Sequence, residues 1–260
     1  MKNSALVLSG WGALWVAHLG ALTALEHTWY MFDWYAGVSA WAIIASGMAL
    51  GYSPEKLKDI IFETKLLNLA FDFSWKKWWL LSWSKVRTAL EEIFWSRTFQ
   101  DTHYPLFIST TNFETGARLT ITQGKIIDAV EASLSIPLLF TPFYHPVYQC
   151  YCVDGWLSHN FPVDLATQNY KGDHIVWIDV NTSLSDLIVE GGQIQKLSVS
   201  ENIQRVFKIF FRNQWLPEDP RVTILRPNLS DYASFDIFHL QEIWRAGYES
   251  IISPEKQHEM

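Results

Sequence analysis

The sequence predicts one α/β domain of the three-layer α/β/α kind, in which helices cover both faces of a mostly parallel central sheet. The chain has 260 residues, 49% of them hydrophobic and 18% charged, which is enough for one large domain with a buried core. Short apolar strand candidates alternate with helix candidates, and this alternation is typical of a parallel sheet covered on both sides. No internal repeat or low-complexity linker divides the chain.

The elements follow from hydrophobic periodicity and from helix start signals. The strand candidates are short apolar runs at Ala5 to Ser9, Tyr35 to Val38, Pro105 to Thr111, Arg118 to Thr122, Tyr148 to Val153, His174 to Val180 and Arg221 to Leu225. The helix candidates between them are Val16 to His27, Ala40 to Leu50, Pro54 to Glu63, Lys85 to Phe94, Ile126 to Leu134, Glu201 to Phe211 and Phe235 to Ile252.

Charge and cysteine content exclude two classes of protein. The formal net charge is −7, so the chain lacks the basic surface that phosphate neutralisation needs, and no nucleic-acid partner is expected. Two cysteines cannot build a disulfide scaffold, and the spacing of Cys150 and Cys152 places both on one face of a strand. A reducing, cytoplasmic location is therefore expected.

The N-terminal apolar segment permits more than one interpretation. From Ala5 to Leu25 its only strongly polar side chain is His18, so it approaches the roughly 20 residues of a membrane-spanning helix. With Lys2 ahead of it, the segment also imitates a signal peptide. We favour a buried strand, a turn at Gly10 to Gly12 and an apolar helix, because a spanning helix would not be interrupted there.

A serine stands at a strand–helix junction in Gly37-Val38-Ser39-Ala40-Trp41. On such an elbow the Ser39 hydroxyl projects above the sheet edge, beside the N-terminus of the next helix. This geometry suits a nucleophile. The pattern is short and its last position is Trp41, so an ordinary helix N-cap serine is an equal alternative at this point.

A glycine-containing turn, Gly10-Trp11-Gly12, follows the first strand. Free backbone N–H groups at such a turn can receive an oxyanion. The alternative is the phosphate-binding turn of a dinucleotide fold, which needs an acidic residue further on that Asp33 could supply. We disfavour it because Asp33 leads directly into the Ser39 elbow.

A carboxylate ends a later strand in Asp154-Gly155-Trp156. At the carboxyl edge of a parallel sheet it faces the same crevice as other strand-end residues, so Asp154 can meet Ser39. Asp164, which precedes the next apolar segment, is instead expected to be a turn or cap residue.

In these three motifs the sequence resembles the patatin-like phospholipases. The family signatures G-G-G-x-R/K-G, G-x-S-x-G and D-G-G/A match Gly10 to Trp15, Gly37 to Trp41 and Asp154 to Trp156 in order and spacing. Ala129 to Pro137 is also similar to family sequences. The resemblance covers at least residues 5–166, the predicted catalytic core, and residues 167–260 are expected to continue the same domain.

The resemblance implies a lipid acyl hydrolase of the phospholipase A, lysophospholipase or esterase type. Ser39 would be the nucleophile and Asp154 the general base of a dyad that works through an acyl-enzyme. Backbone N–H groups of Gly10, Trp11 and Gly12 would hold the oxyanion. The implied partners are a lipid or phospholipid substrate and, transiently, a membrane surface; no cofactor and no metal are implied.

A Ser-His-Asp hydrolase is the competing enzyme class. His159, His174 or His239 would then be the base. We disfavour this class because an α/β-hydrolase places several strands before its nucleophile, whereas Ser39 follows only one or two.

Tryptophan is unusually frequent, with 14 residues against 13 glycines. Trp11, Trp15, Trp41 and Trp156 each stand where the resembled family has glycine. The same exchange is suspected at Trp78, Trp79, Trp83, Trp95, Trp177 and Trp244. We hypothesise that UGA codons, read as glycine by the source organism, were translated as tryptophan.

Taken literally, these tryptophans occupy turns that favour glycine. Trp41 is then expected to force the nucleophile helix off its strand, and Trp11 to crowd the oxyanion site. Residues 71–83 imitate an interfacial membrane anchor, although we favour a loop. Leu14 departs separately, since the family usually has Arg or Lys there. If the tryptophans are real, the alternative function is an impaired pseudohydrolase that binds lipid or a partner.

Overall fold

An eight-stranded mixed sheet with helices on both faces forms the centre of the fold, as seen in a computed structural model. The structure describes residues 3–9, 12–28, 30–64, 83–137, 140–159, 161–180, 189–190, 193–194, 202, 205, 206, 209, 218–232 and 238–253. The α/β/α class expected from the sequence is confirmed.

The described elements alternate as follows. The strands are β1 (Asn3–Ser9), β2 (Met31–Val38), β3 (Leu106–Asn112), β4 (Arg118–Ile121), β5 (Phe143–His145), β6 (Cys150–Asp154), β7 (Ile175–Asp179), β8 (Val189–Glu190), β9 (Gln193–Ile194) and β10 (Val222–Leu225). The helices are α1 (Val16–His27), α2 (Trp41–Ala49), α3 (Pro54–Glu63), α4 (Trp83–Phe94), α5 (Ile126–Leu134), α6 (Trp156–His159), α7 (Val163–Asn169) and α8 (Leu240–Ile252).

The sheet has the strand order β10-β7-β1-β2-β3-β6-β5, with β4 paired to β3 outside this path. Strands β10, β7, β1, β2 and β3 are mutually parallel. Strands β4, β5 and β6 join antiparallel. The predicted parallel core is therefore correct, and one end of the sheet is antiparallel.

Alternating residues of β1 divide the core into two layers. Leu6 and Leu8 pack on the face that carries α1, α2 and α5, whereas Ala5 and Val7 pack on the opposite face with residues of α6 and α7. Successive side chains of a strand point to opposite faces, so a strand buried on both sides is apolar throughout. Strand β1 is a continuous apolar run in the sequence because it is buried on both faces of the sheet.

Several boundaries differ from the sequence prediction. Helix α8 begins at Leu240 rather than Phe235. The short elements β5, α6 and α7 were not expected, because three to seven residues do not establish a period. The helix predicted at Glu201 to Phe211 lies largely outside the described residues, as do most of residues 71–83.

The N-terminal apolar segment forms strand β1 and helix α1, as favoured over a spanning helix. Helix α1 is buried along most of its length and packs mainly on α8. Within the described ranges, no helix has the length and apolar character to cross a membrane.

Candidate active site

The topology brings the ends of β2 and β6 together on one edge of β3. Strand β2 pairs with β3 as far as Val38 and Ser109, and β6 pairs with the next residues of β3, with Asp154 opposite Thr110. Strand β4 pairs with overlapping residues of β3 and so occupies its other edge. Strand β6 therefore reaches the end of β2 from the opposite direction. The sequence argument placed Asp154 correctly but assumed a parallel strand.

Ser39 lies at a strained elbow between β2 and α2. Its φ of 56° is left-handed, a conformation that costs a non-glycine residue about 1–3 kcal/mol. Gly37 makes the elbow tight, since a Cβ there would lie 2.7 Å from the Trp41 carbonyl oxygen and 2.9 Å from Ala42 Cα. Ser39 is therefore the turn residue of a strand–helix elbow, not an N-cap in extended conformation.

The Ser39 hydroxyl donates a hydrogen bond of 2.6 Å to Asp154 Oδ2. Asp154 is fully buried, and its other oxygen, Oδ1, accepts from the Trp156 N–H at 3.1 Å. Burial raises the pKa of Asp154 to about 8, although hydrogen bonds from Ser39 and from the Trp156 and Gly155 backbone oppose the rise. The two side chains that the sequence predicted to meet are in contact.

Gly155 lets the chain turn directly after Asp154. A Cβ on this glycine would lie 2.4 Å from the Ser109 carbonyl oxygen and 2.7 Å from Val38 Cγ2. Any larger residue would push β6 away from β3, and with it the Asp154 carboxylate.

The predicted oxyanion turn is described only in part. Gly10 and Trp11 lie outside the described residues, and Gly12 begins a short 3-10 helix, Gly12–Trp15, that leads into α1. Leu8 of β1 pairs with Gly37 of β2, so β1 ends at Ser9, at the level of the Ser39 elbow. The oxyanion role of these backbone groups stays a prediction.

Trp41 does not displace the nucleophile helix, so that expectation was wrong. Its indole is 2% exposed, and its Nε1–H donates to His18 Nδ1 at 2.9 Å. The indole therefore occupies space between α1 and α2 with its polar atom satisfied, and α2 still packs on β2. Trp156 is likewise buried, in the opposite core layer with Trp177 and Phe161.

No described histidine side chain hydrogen-bonds to Ser39. His174 lies at the amino ends of the strands, 3.2 Å from both Ser4 Oγ and Thr223 Oγ1. His239 precedes α8 and contacts the Tyr232 ring. The His159 side chain lies outside the described residues. Asp164, expected to be a cap, lies in the first turn of α7 and pairs with Arg118.

His18 is a buried packing residue. It lies against Trp41 and at 3.1 Å from the Ile178 carbonyl oxygen. Burial lowers its pKa to about 3, against smaller opposing effects of backbone hydrogen bonds.

Sequence reasoning missed the contribution of helix α5 to the site. Its last turn contains Ser133, whose hydroxyl contacts the Ser39 backbone. The available signal was a pair of small polar residues, Ser133 and Ser135, that follow the helix candidate's apolar residues at its end.

A strained serine at a strand–helix elbow of an α/β sheet is the arrangement of many serine hydrolases. Comparison with known proteins narrows this class. The chain belongs to the patatin-like phospholipase family, whose sequence profile matches residues 6–167.

The relatives are distant and longer. Patatin-like phospholipase domain-containing protein 6 of Homo sapiens is 26% identical over an alignment of 183 positions, which covers 68% of this chain and 13% of that protein. An uncharacterised NTE family protein of Mycobacterium tuberculosis is 22% identical over an alignment of 269 positions, which covers 95% of this chain and 45% of that protein. The chain thus spans less than half the length of these relatives.

A solved structure shares the fold. The crystal structure of VipD from Legionella pneumophila is similar with a TM-score of 0.59 at 14% identity, over 99% of this chain and 67% of that chain.

Proposed function

We propose that the chain is a lipid acyl hydrolase that uses Ser39 and Asp154 as a catalytic dyad. The observation that carries the proposal is the 2.6 Å hydrogen bond between Ser39 Oγ, held at a left-handed elbow, and the buried Asp154 carboxyl group. Membership of the patatin-like phospholipase family supports a lipid ester as the substrate class. The activity would be of the phospholipase A, lysophospholipase or esterase type.

The dyad would act in two steps. Ionised Asp154 takes the Ser39 proton while Oγ attacks the ester carbonyl, and the resulting oxyanion is held by backbone N–H groups of the Gly10 to Gly12 turn. Collapse forms the acyl-enzyme, and the leaving alkoxide receives the proton from Asp154. Water then attacks the acyl-enzyme and gives its proton to Asp154. The C–Oγ bond then breaks to release the fatty acid, and Asp154 returns its proton to Ser39 Oγ, which restores the hydroxyl and the carboxylate.

We also propose a cytoplasmic location with transient contact to a membrane surface. Exposed aromatic side chains near the candidate site support this contact. Strands β3 and β6 extend past the Ser39 elbow, and beyond it lie Phe113, Tyr144 and Tyr151. All three are about half exposed, and the Tyr144 and Tyr151 rings are 5.3 Å apart. Amphipathic tyrosines favour the boundary between lipid and water.

The alternative is an impaired pseudohydrolase that keeps the fold and binds lipid or a partner. The observations that favour it are the tryptophans at motif glycine positions and Leu14, which stands where the family usually has Arg or Lys. It predicts lipid binding without turnover.

Substitution of the dyad separates these two functions. Two forms of the purified protein are assayed, one with tryptophan and one with glycine at positions 11, 15, 41 and 156. The substrates are a short-chain aryl ester and phosphatidylcholine vesicles. Ser39→Ala and Asp154→Asn should each reduce kcat by at least about 10³-fold.

Two matched substitutions are the controls. Ser46→Ala removes another buried serine, on α2, and Asp219→Asn removes an aspartate at the amino end of β10; both should leave turnover unchanged. Full activity in Ser39→Ala would show that the nucleophile is misassigned. Vesicle binding with no turnover in either form of the protein would support the pseudohydrolase.

A further inference from the structure

The family-like segment Ala129 to Pro137 has no role in the chemistry above, although much of it is buried beside the dyad. It comprises the end of α5 and the turn that follows. Ser133 and Ser135 in this segment are fully buried. Buried hydroxyl groups need hydrogen-bond partners, so their partners indicate what the segment does.

The Ser133 hydroxyl links the nucleophile elbow to β3. Its Oγ accepts a 2.7 Å hydrogen bond from the Ser39 backbone N–H. Ser133 itself donates at 2.7 Å to the Ser109 carbonyl oxygen. Since the hydroxyl proton is committed to Ser109, a lone pair of Oγ faces the Ser39 N–H. The hydroxyl is thus held at both ends.

The elbow needs such a partner for two reasons. The left-handed φ of Ser39 is disfavoured and persists only where the surroundings fix it. Ser39 is also only 6% exposed, so its N–H would otherwise be poorly hydrated. The hydrogen bond to Ser133 helps to fix the left-handed backbone of Ser39 and gives the buried N–H a partner. The direction of the Ser39 side chain depends on this backbone conformation.

The end of the same segment also holds Asp154. The Ser135 carbonyl oxygen accepts from the Asp154 backbone N–H at 2.9 Å. The Thr110 hydroxyl, on the residue opposite Asp154, lies 3.3 Å from the Ala132 carbonyl oxygen. One helix end therefore fixes the backbone of both dyad residues.

We propose that Ser133 is a positioning residue, whose hydroxyl holds the Ser39 backbone so that Oγ points at Asp154. The proposal rests on the proposed hydrolase function. Ser133 touches neither substrate nor the reacting atoms and acts only through Ser39. Its loss should therefore lower the rate of the chemical step and leave ground-state substrate binding largely unchanged.

The test compares Ser133→Ala, Ser133→Thr, Ser39→Ala and the control Ser46→Ala. The Ser46 hydroxyl is buried on α2 and has no hydrogen-bond partner among the described residues, so its removal changes a serine of similar burial without touching the elbow. The measurements are kcat and KM on a soluble aryl ester, the rate of Ser39 labelling by a fluorophosphonate, and the thermal midpoint. Labelling reports nucleophile reactivity in folded protein independently of lipid binding.

Ser133→Ala should lower kcat and the labelling rate about 10- to 100-fold, with KM within about twofold of the wild-type value. Ser133→Thr, which keeps the hydroxyl, should recover most of the rate, and Ser46→Ala should match wild type.

Two results would overturn the inference while the proposed function stands: wild-type kcat in Ser133→Ala when Ser39→Ala is inactive, or equal rate losses in well-folded Ser133→Ala and Ser133→Thr. Retained activity in Ser39→Ala would overturn the function and the inference together.

Discussion

Asp154 should make the proposed reaction strongly pH-dependent, because in the proposed dyad its carboxyl group must be ionised before it can accept the Ser39 proton. Burial raises its pKa from 3.8 to about 8. Below that pH the ionised fraction falls tenfold per unit, so kcat/KM should be about 10% of its plateau at pH 7 and about 1% at pH 6. An uncharged aryl ester at constant ionic strength provides the assay. A single inflection near pH 4 would refute the reasoning.

The same shift has a consequence for stability, with a definite sign. A pKa that is higher in the folded state means that the native protein keeps a proton that the unfolded chain has lost. Its stabilising contribution is complete below the unfolded pKa near 3.8 and disappears as pH rises through about 8. At pH 7 the free energy of unfolding is therefore lower than below pH 3.8 by at most roughly 4 kcal/mol, which corresponds to the roughly three pH units between 3.8 and 7.

Asp154→Asn imitates the protonated carboxyl group and removes this dependence. The free energy of unfolding of the variant, relative to wild type, should therefore increase by up to about 1.4 kcal/mol per pH unit between about pH 5 and 8. Urea unfolding at several pH values measures the difference. Asp219→Asn is the control: hydrogen bonds from Arg221 lower the pKa of Asp219, so it stays ionised over this range. If the difference in unfolding free energy between Asp154→Asn and wild type does not change with pH, Asp154 is not desolvated.

Two further predictions concern the tryptophans. Trp95→Gly should raise the thermal midpoint, because Trp95 follows α4 with a left-handed φ of 48° and is 79% exposed. Glycine there relieves about 1 kcal/mol of strain, and little packing is lost. Trp177→Gly should instead destabilise the protein by about 3–5 kcal/mol, since that indole is buried and donates to Ser9 Oγ at 2.6 Å. Equal effects of the two exchanges would contradict this. In the coding DNA, the codons for Trp11, Trp15, Trp41 and Trp156 should be TGA, which sequencing of the gene checks and TGG would contradict.

Much of the parallel half of the fold could be predicted because its strands are buried on both faces and its helices have clear end signals. Helix α3, for example, begins with Pro54 after Ser53, whose side chain accepts from the Lys56 N–H. The antiparallel end could not be predicted in this way. Strand β5 is a three-residue strand bounded by Pro142 and Pro146, and nothing local in β6 specifies its direction.

The contacting pair could be predicted from the sequence, whereas the residues that hold it could not. Ser39 and Asp154 each stand in a turn motif with its own signature. Ser133 acts through a contact between residues 39 and 133, which only the packing of α5 against β3 creates. Periodicity marks Ser133 as buried and gives no indication of its partner.

The suspect tryptophans differ in how well their surroundings accommodate an indole. At Trp95 the backbone adopts the conformation that glycine favours, which supports the hypothesis that this codon encodes glycine in the source organism. At Trp41 the indole has found space and a partner in His18, while Ser39 and Asp154 remain in contact. A tryptophan at position 41 is therefore compatible with an assembled dyad. Loss of activity in the chain with its tryptophans in place would then be attributed to the predicted oxyanion turn, where Trp11 departs from the family, or to Leu14 just after it. A Trp11→Gly exchange alone should therefore restore more activity than Trp41→Gly.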